Sequence, residues 1–195
     1  LYMPQRDNEN VQVQQNVYYA DAELHCYYTA YIWLRYSDDN GATWSDPVNL
    51  SAFVKDSKED FLGVCPGRGI VTDVDGKERI IFCVYDDRGG VQNVSTIYSD
   101  DNGETWHRTG ETKRRPGIIK NNESQIVELN DGVLRMFSRN SSNYVSYADS
   151  FDGGITWTKF SADIDLVAKG SCMCSFINTS RIIDGKRVVL GAYPS

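Results

Sequence analysis

Two side chains suited to proton transfer and anion binding lie in the stretch 122–140, NESQIVELNDGVLRMFSRN. The letters NDG at 130–132 are typical of a tight turn between two apolar strands. If this hairpin is centred on Asp131, cross-strand partners have numbers that sum to 262, and Glu123 and Arg139 satisfy that sum. We therefore expect these two residues to face one another at the end of the hairpin farthest from the turn, within reach of one ligand.

The pair also has a purely structural interpretation. A Glu and an Arg that face one another across two strands most often form a surface salt bridge worth under about 1 kcal/mol. A bulge or a longer loop would also shift the register between the strands. The pair alone therefore does not define a function.

The elements that must position this pair are β-strands. Short runs rich in β-branched and aromatic residues are separated by Gly, Asn and Asp clusters, and no convincing amphipathic helix interrupts them. The runs include YIWLRYS, RIIFCVY, VSTIYS, QIVEL, VLRMFS, NYVSYA and RVVLGAY. The sequence therefore predicts an all-β chain built from hairpins.

A pattern Ser-x-Asp-x-Gly-x-Thr-Trp occurs at 37–44, 99–106 and 150–157. Its Asp can accept hydrogen bonds from nearby backbone amides, its Gly can adopt positive φ, and its Trp can fold beneath the turn. A calcium loop of the EF-hand type would need a Glu six residues after the Gly, where Pro47 and Thr109 stand instead. We therefore interpret each copy as a hairpin loop that stabilises a scaffold.

The spacing of the copies, from 37 to 99 and from 99 to 150, suits one four-stranded antiparallel sheet per copy. This is how β-propellers repeat in sequence, and closed propellers have about 4–8 such blades. Three copies predict about three to four blades. We expect residues 1–195 to form a single domain that is the middle of a longer ring.

Composition narrows the classes of function. The net charge of −7 argues against binding to nucleic acid or to an anionic membrane, and no apolar run approaches the length of a membrane span. The basic run KRRPG at 113–117 is short and is interpreted as a solvated loop. The chain opens without a signal peptide, and we expect neither nucleic-acid binding nor membrane insertion.

The five cysteines are an odd number and lack metal-ligand spacing. Cys172 and Cys174 lie two apart in a run that looks like a strand, so we expect both to point to one face without bridging each other. Their favoured interpretation is as small buried apolar residues.

The repeats resemble the Asp-boxes of bacterial sialidases (neuraminidases). The similarity extends over nearly the whole chain, because YSDDNGATWSDPVNL, FLGVCPGRGI, VYDDRGGVQNVSTIYSDDNGETW, NESQIVEL, LRMFSRN and SFDGGITW occur in the order that those enzymes carry them. An Asp-box alone also occurs in non-enzymatic propellers. The resemblance implies a partial six-bladed propeller whose boxes lie on turns away from the active site.

The resemblance also implies roles for four residues. Glu123 matches the glutamate that takes a proton from a nucleophilic tyrosine, and Arg139 matches the second of three arginines that bind the carboxylate of sialic acid. Tyr85 and Gln92 match substrate contacts, although Tyr85 can equally be a core aromatic and Gln92 a solvated amide. The implied activity is that of an exo-α-sialidase that retains configuration through a tyrosyl-enzyme intermediate, with no metal or cofactor and with sialylated glycans as substrates.

Other parts of such a site are expected outside this chain. The first arginine and the acid Asp would precede residue 1, and the third arginine and the nucleophilic Tyr would follow residue 195, so Tyr193 is not expected to be the nucleophile. We therefore expect the 195-residue chain alone to be inactive. One departure is Ser171, which stands where relatives often have a Tyr.

Two alternatives stay open. An intramolecular trans-sialidase would release an anhydro sugar, and a non-catalytic Asp-box propeller would bind a glycan or a protein. The family implies a secreted or cell-surface protein of a bacterium.

Overall fold

The computed structural model describes residues 17–21, 26–56, 59, 61–88, 90–110, 112, 120–168 and 172–194. Their strands are β1 (Val17–Asp21), β2 (Cys26–Thr29), β3 (Trp33–Leu34), β4 (Val48–Asn49), β5 (Phe61–Val64), β6 (Ile70–Val74), β7 (Lys77–Arg88), β8 (Val91–Ser99), β9 (His107–Arg108), β10 (Asn121–Glu128), β11 (Leu134–Asn140), β12 (Tyr144–Ser150), β13 (Ser161–Val167), β14 (Ser175–Ile183) and β15 (Lys186–Ala192). Helical structure in the described residues is limited to α1 (Ser51–Val54) and a 3₁₀ turn, Asn130–Gly132. The predicted all-β class is confirmed.

Two sheets form the centre of the described structure. Sheet A has the order β5–β7–β8–β9, and β6 pairs with β7 beyond the end of β5, so β5 and β6 share one position along the long β7 strand. Sheet B has the order β10–β11–β12–β13. All of these pairings are antiparallel. Each sheet is therefore a four-position blade, as the repeat spacing predicted.

Strand pairs flank the two blades on either side in sequence. The pairs β1–β2 and β3–β4 precede sheet A, and the pair β14–β15 follows sheet B. Every connection between consecutive strands within a sheet is short, which is the pattern of up-and-down propeller blades. The fold is therefore part of a β-propeller.

Three apolar clusters hold the successive sheets together. The first joins sheet A to sheet B and includes Ile81, Val94 and Met136. The second joins β3, α1 and the adjoining Ile32 and Leu50 to sheet A, and the third joins sheet B to the hairpin β14–β15. Each blade face is thus buried against its neighbour, so β10, the first strand of sheet B, lies between the two blades that adjoin it.

The second and third Asp-boxes close the turns that lead into the last strands of sheets A and B, and the first box closes the turn between β3 and β4. In the second box the Ser99 hydroxyl donates to Asp101 Oδ1 at 2.8 Å and accepts from the Gly103 N–H at 2.8 Å. The Thr105 N–H donates to Asp101 Oδ1 at 2.8 Å, and the Thr105 hydroxyl donates to Oδ2. The Trp106 indole donates to the Gly103 carbonyl at 3.0 Å. Both oxygens of the carboxylate are thus satisfied within the turn itself.

The same Ser–Asp–Gly–Thr contacts recur in the boxes at 37–44 and 150–157. The Trp rings differ in burial, however. Trp106 is 5% exposed and belongs to the second apolar cluster, whereas Trp44 is 53% exposed. The ring of Trp44 nevertheless lies beneath its turn, 3.8 Å from where a Cβ atom of Gly41 would be, as the sequence predicted.

Candidate active site

The hairpin β10–β11 positions the residues singled out in the sequence. Its ladder pairs Ser124 with Ser138 and continues in step to Glu128 with Leu134, so partner numbers sum to 262 along this stretch. The predicted register is confirmed. The predicted tight turn is in fact a 3₁₀ turn at 130–132, closed by a hydrogen bond of 2.7 Å from the Leu129 N–H to the Val133 carbonyl.

The register shifts at the far end of the same hairpin. Asn121 pairs with Asn140, which is one residue out of step with the rest of the ladder, so the stretch between Asn121 and Ser124 is irregular. Glu123 and Arg139 are therefore not ladder partners, which corrects the simple extrapolation from the turn. A one-residue irregularity of this kind redirects side chains and is common beside functional sites.

The two side chains nevertheless meet. Arg139 Nη1 donates to Glu123 Oε2 at 2.5 Å, and the side chains of Glu123 and Arg139 are 23% and 33% exposed. Both are thus partly shielded and still accessible to a ligand. A carboxylate that can take a proton lies directly beside a guanidinium that can bind an anion.

Gln92 approaches this pair from sheet A. It lies at the start of β8, where its backbone forms a parallel bridge with Lys120, just before β10 begins. Asn122 donates from Nδ2 to Gln92 Oε1 at 2.8 Å, and Asn122 directly precedes Glu123. Gln92 is therefore bonded to the residue that precedes Glu123, and its contact with substrate stays a prediction.

Tyr85 lies on β7, opposite Val94 of β8. Its ring packs against the cluster between sheets A and B and lies 5.2 Å from the Phe61 ring, measured between centroids. Because side chains alternate along a strand, Tyr85 points to the same face of the sheet as Asp87. Tyr85 thus has a packing role, and a role in substrate binding stays a prediction.

Cys172 and Cys174 line a small cleft together with Arg139. Cys174 is buried, and burial, assisted by the negative charge of Glu123, raises the pKa of its thiol to about 11. Cys172 is exposed, so the expectation of burial holds for Cys65, Cys83 and Cys174 and is wrong for Cys172. The reason is local: residues 172–174 precede β14 and are not in a strand, so alternation does not apply to them.

The remaining expectations from the sequence concern two segments that the structure does not describe, the role of Tyr193, and metal and membrane binding. Ser171 and the basic run 113–117 lie outside the described residues. Tyr193 packs against the third apolar cluster. Within the described ranges, no three His, Cys, Asp or Glu side chains are grouped so as to hold a metal ion, and no helix is long and apolar enough to cross a membrane.

Sequence reasoning missed a buried ionic network at the end of β7. Glu59 and Asp86 are buried carboxylates, and Arg108 binds Glu59 through Nη1 and Asp86 Oδ2 through Nη2 at 3.0 Å. Arg88 Nη2 donates to Glu59 at 2.9 Å. Glu59 and Arg108 are far in sequence from Asp86 and Arg88, and no repeating pattern links the four residues, so nothing in the sequence indicated the network. Their effect is to fix the end of β7 immediately beside Asp87.

Sequence reasoning also missed the contact between Asp87 and Gln92, although the sequence contains a turn motif that predicts it. The letters GG at 89–90 are typical of a two-residue hairpin loop, which would pair Asp87 with Gln92. The structure pairs them in this way, and Gln92 Nε2 donates to Asp87 Oδ2 at 3.1 Å.

Comparison with known proteins defines the family. The BNR repeat-like domain family matches residues 11–183, so the chain belongs to that family. The chain is similar to sialidases over most of its length, which confirms the resemblance found in the sequence.

Three relatives illustrate this similarity. The anhydrosialidase of Macrobdella decora is 33% identical over 95% of this chain and 24% of that protein. The sialidase of Paraclostridium sordellii is 35% identical over 78% of this chain and 39% of that protein. The solved structure of the intramolecular trans-sialidase from Ruminococcus gnavus, in complex with oseltamivir carboxylate, has a TM-score of 0.73 and 32% identity, and covers 85% of this chain and 33% of that one. The chain spans 20–43% of the length of the curated relatives it matches.

Proposed function

We propose that the protein containing this chain is an exo-α-sialidase that hydrolyses terminal sialic acid from glycans with retention of configuration. The observation that carries the proposal is the 2.5 Å contact between Arg139 and Glu123 at an irregular point of a blade's first strand. Similarity to named sialidases over most of the chain supports it. Sialylated glycoproteins, glycolipids and oligosaccharides are the proposed substrates, and a secreted or cell-surface location in a bacterium is part of the proposal.

Arg139 is proposed to bind the substrate carboxylate. A planar guanidinium can make two parallel hydrogen bonds to a carboxylate, which a lysine cannot. The side chain is partly exposed, so a ligand can reach it. Arg139 would thereby place the anomeric carbon, which bears that carboxylate, close to Glu123.

Glu123 is proposed to act as the base that takes a proton from a nucleophilic tyrosine. The anomeric carbon of sialic acid carries a negative carboxylate, so a carboxylate nucleophile would be repelled, whereas a neutral Tyr activated by a neighbouring base avoids the repulsion. The tyrosine and the acid that protonates the leaving group are proposed to lie outside these 195 residues. For that reason the chain alone is proposed to be inactive.

A second activity, intramolecular trans-sialidase, is favoured by a specific observation. The Ruminococcus gnavus neighbour carries that name, and the Macrobdella decora relative is named an anhydrosialidase. In such a reaction a hydroxyl of the sugar itself replaces water, so the product is an anhydro sugar.

One experiment tests both activities. The full-length protein is incubated with 3′-sialyllactose, and the released sugar is analysed by NMR and mass spectrometry. Free sialic acid, first released as the α-anomer, supports the retaining hydrolase. An anhydro product lighter by one water supports the trans-sialidase. Absence of any release across sialosides of different linkage would contradict both and would favour a non-catalytic binding propeller.

A further inference from the structure

Asp87 closes the two-residue loop between β7 and β8 with both of its carboxylate oxygens. Oδ1 accepts a hydrogen bond from the Gly90 N–H at 2.7 Å, and Oδ2 accepts one from Gln92 Nε2 at 3.1 Å. A carboxylate can only accept hydrogen bonds. Asp87 therefore dictates that the Gln92 amide turns its nitrogen toward the loop and its oxygen away from it.

That orientation is passed on to sheet B. Gln92 Oε1 accepts from Asn122 Nδ2 at 2.8 Å, and Asn122 Oδ1 accepts from the Glu123 N–H at 2.9 Å. A backbone N–H can only donate, so the Glu123 end of the chain demands the same orientation of both amides as the Asp87 end does. All three hydrogen bonds therefore donate in one direction, from Glu123 toward Asp87, and each end fixes this direction independently. We call this direction the polarity of the hydrogen-bond chain.

This series of hydrogen bonds meets β10 at a point where regular ladder pairing does not hold the strand. The register shifts between Asn121 and Ser124, so regular pairing does not fix Glu123. Asn122 is buried, and a buried amide that loses its hydrogen-bond partner is not compensated by water. The side-chain contacts from sheet A therefore replace the missing ladder contacts at this point.

We propose that Asp87 is a positioning residue for Glu123, acting through Gln92 and Asn122. The proposal rests on the proposed function in that Glu123 is taken as the base of the site. Asp87 does not contact Glu123, because Gln92 and Asn122 lie between them in the series of hydrogen bonds. Its role is to set the polarity of the chain and, through it, the backbone from which the Glu123 carboxylate reaches Arg139.

A charge-neutral swap tests the polarity directly. Asp87→Asn places an amide nitrogen against the Gln92 nitrogen when its oxygen binds Gly90, so two donors oppose each other. Gln92→Glu alone places two acceptors against each other. When both substitutions are combined, the new amide at position 87 can donate to the new carboxylate at position 92, whose other oxygen still accepts from Asn122. The double variant therefore restores every hydrogen bond with side chains of nearly the original size.

The measurement uses the full-length protein and two readouts. Hydrogen exchange of the Glu123 amide reports on the chain whether or not the protein has sialidase activity, and turnover of a fluorogenic sialoside reports on the site. We expect Asp87→Asn to speed the exchange of this amide by about tenfold or more and to lower kcat, because the hydrogen bond that it removes is made to a charged carboxylate, and such bonds are stronger than those between neutral groups. The double variant should recover slow exchange of the Glu123 amide. This exchange alone is compared in the double variant, because Gln92 is itself a predicted substrate contact.

Asp73→Asn is the matched control. Asp73 Oδ1 accepts from the Gly76 N–H at 3.0 Å in the β6–β7 turn, which is the same loop contact without a chain leading to Glu123. In Asp73→Asn, the rate of hydrogen exchange of the Glu123 amide and the kcat should equal those of the wild type. The proposal would be overturned by unchanged exchange in Asp87→Asn, by exchange in the double variant as fast as in Asp87→Asn, or by failure of both variants to fold. Wild-type protein without sialidase activity would instead refute the proposed function, while the exchange result would still decide the role of Asp87.

Discussion

Gly153 of the third Asp-box lies directly against Val74 of sheet A. A Cβ atom added at Gly153 would lie 2.6 Å from Val74 Cγ2, which is closer than real contacts allow. The neighbouring Arg79 donates from Nη1 to the Gly153 carbonyl at 3.1 Å. The third box is therefore docked on the preceding blade, and this explains why it reads Asp-Gly-Gly where the other two boxes have Asp-Asn-Gly.

The first prediction follows from this contact. Gly153→Asn should lower the free energy of unfolding by about 1–3 kcal/mol, because the new side chain overpacks the junction between the sheets. The backbone conformation is not the obstacle, since Asn40 and Asn102 adopt the same positive φ. Urea unfolding of the full-length protein measures the effect. Asn102→Gly, at the exposed equivalent position, should change stability by less than about 1 kcal/mol. Equal effects at the two positions would refute the docking explanation.

A second prediction concerns the Trp residues of the boxes. Trp106→Ala should cost about 3–5 kcal/mol, because its ring is buried in the cluster of sheet A and its indole binds the Gly103 carbonyl. Trp44→Ala should cost much less, since that ring is exposed. Thermal unfolding compares the two variants, and kinetics of the folded fraction should be nearly unchanged in both. Lost turnover with unaltered melting of Trp106→Ala would show that the box takes part in the reaction.

A third prediction concerns the pH dependence of thermal stability, to which the ionised Asp101 of the second box contributes. Hydrogen bonds from the Thr105 hydroxyl and N–H and from Ser99 lower the pKa of Asp101 from 3.8 to about 2. A carboxyl whose pKa is lowered on folding stabilises the fold above its unfolded pKa, and this contribution is lost as the pH falls through the folded value. Asp101→Asn should therefore melt below the wild type at pH 7, and the gap should narrow between about pH 4 and pH 2. A gap that stays constant or widens in acid would contradict this.

The sequence was sufficient to predict the class of fold, the strand hairpins and the meeting of Glu123 with Arg139. The register near the turn was predictable because a tight turn fixes it locally. The shift between Asn121 and Ser124 was not, since it coincides with hydrogen bonds from a different sheet. For the same reason the exposure of Trp44 could not be predicted, because burial depends on which neighbour covers the ring.

A further prediction concerns binding of the substrate carboxylate by Arg139, tested against another arginine of the same strand. Arg139→Lys should raise KM for a sialoside by about ten- to a hundredfold, because two charge-assisted hydrogen bonds to a carboxylate become one point contact. Arg135→Lys is the matched control on the same strand, where Arg135 binds Asp149 at 2.7 and 2.8 Å instead. The control should keep the wild-type KM. An unchanged KM in Arg139→Lys would remove Arg139 from the carboxylate site.

The central claim is that Glu123 is the base of a sialidase site, and kinetics of Glu123→Gln in the full-length protein test it most directly. The substitution keeps the size of the side chain and removes its ability to take a proton, so kcat should fall by about 10²–10⁴ with little change in KM. Glu128→Gln, on the same strand and 3.5 Å from Arg187, should leave kcat unchanged. Wild-type turnover in Glu123→Gln would contradict the claim, and Glu123 would then be only the partner of Arg139 in a salt bridge.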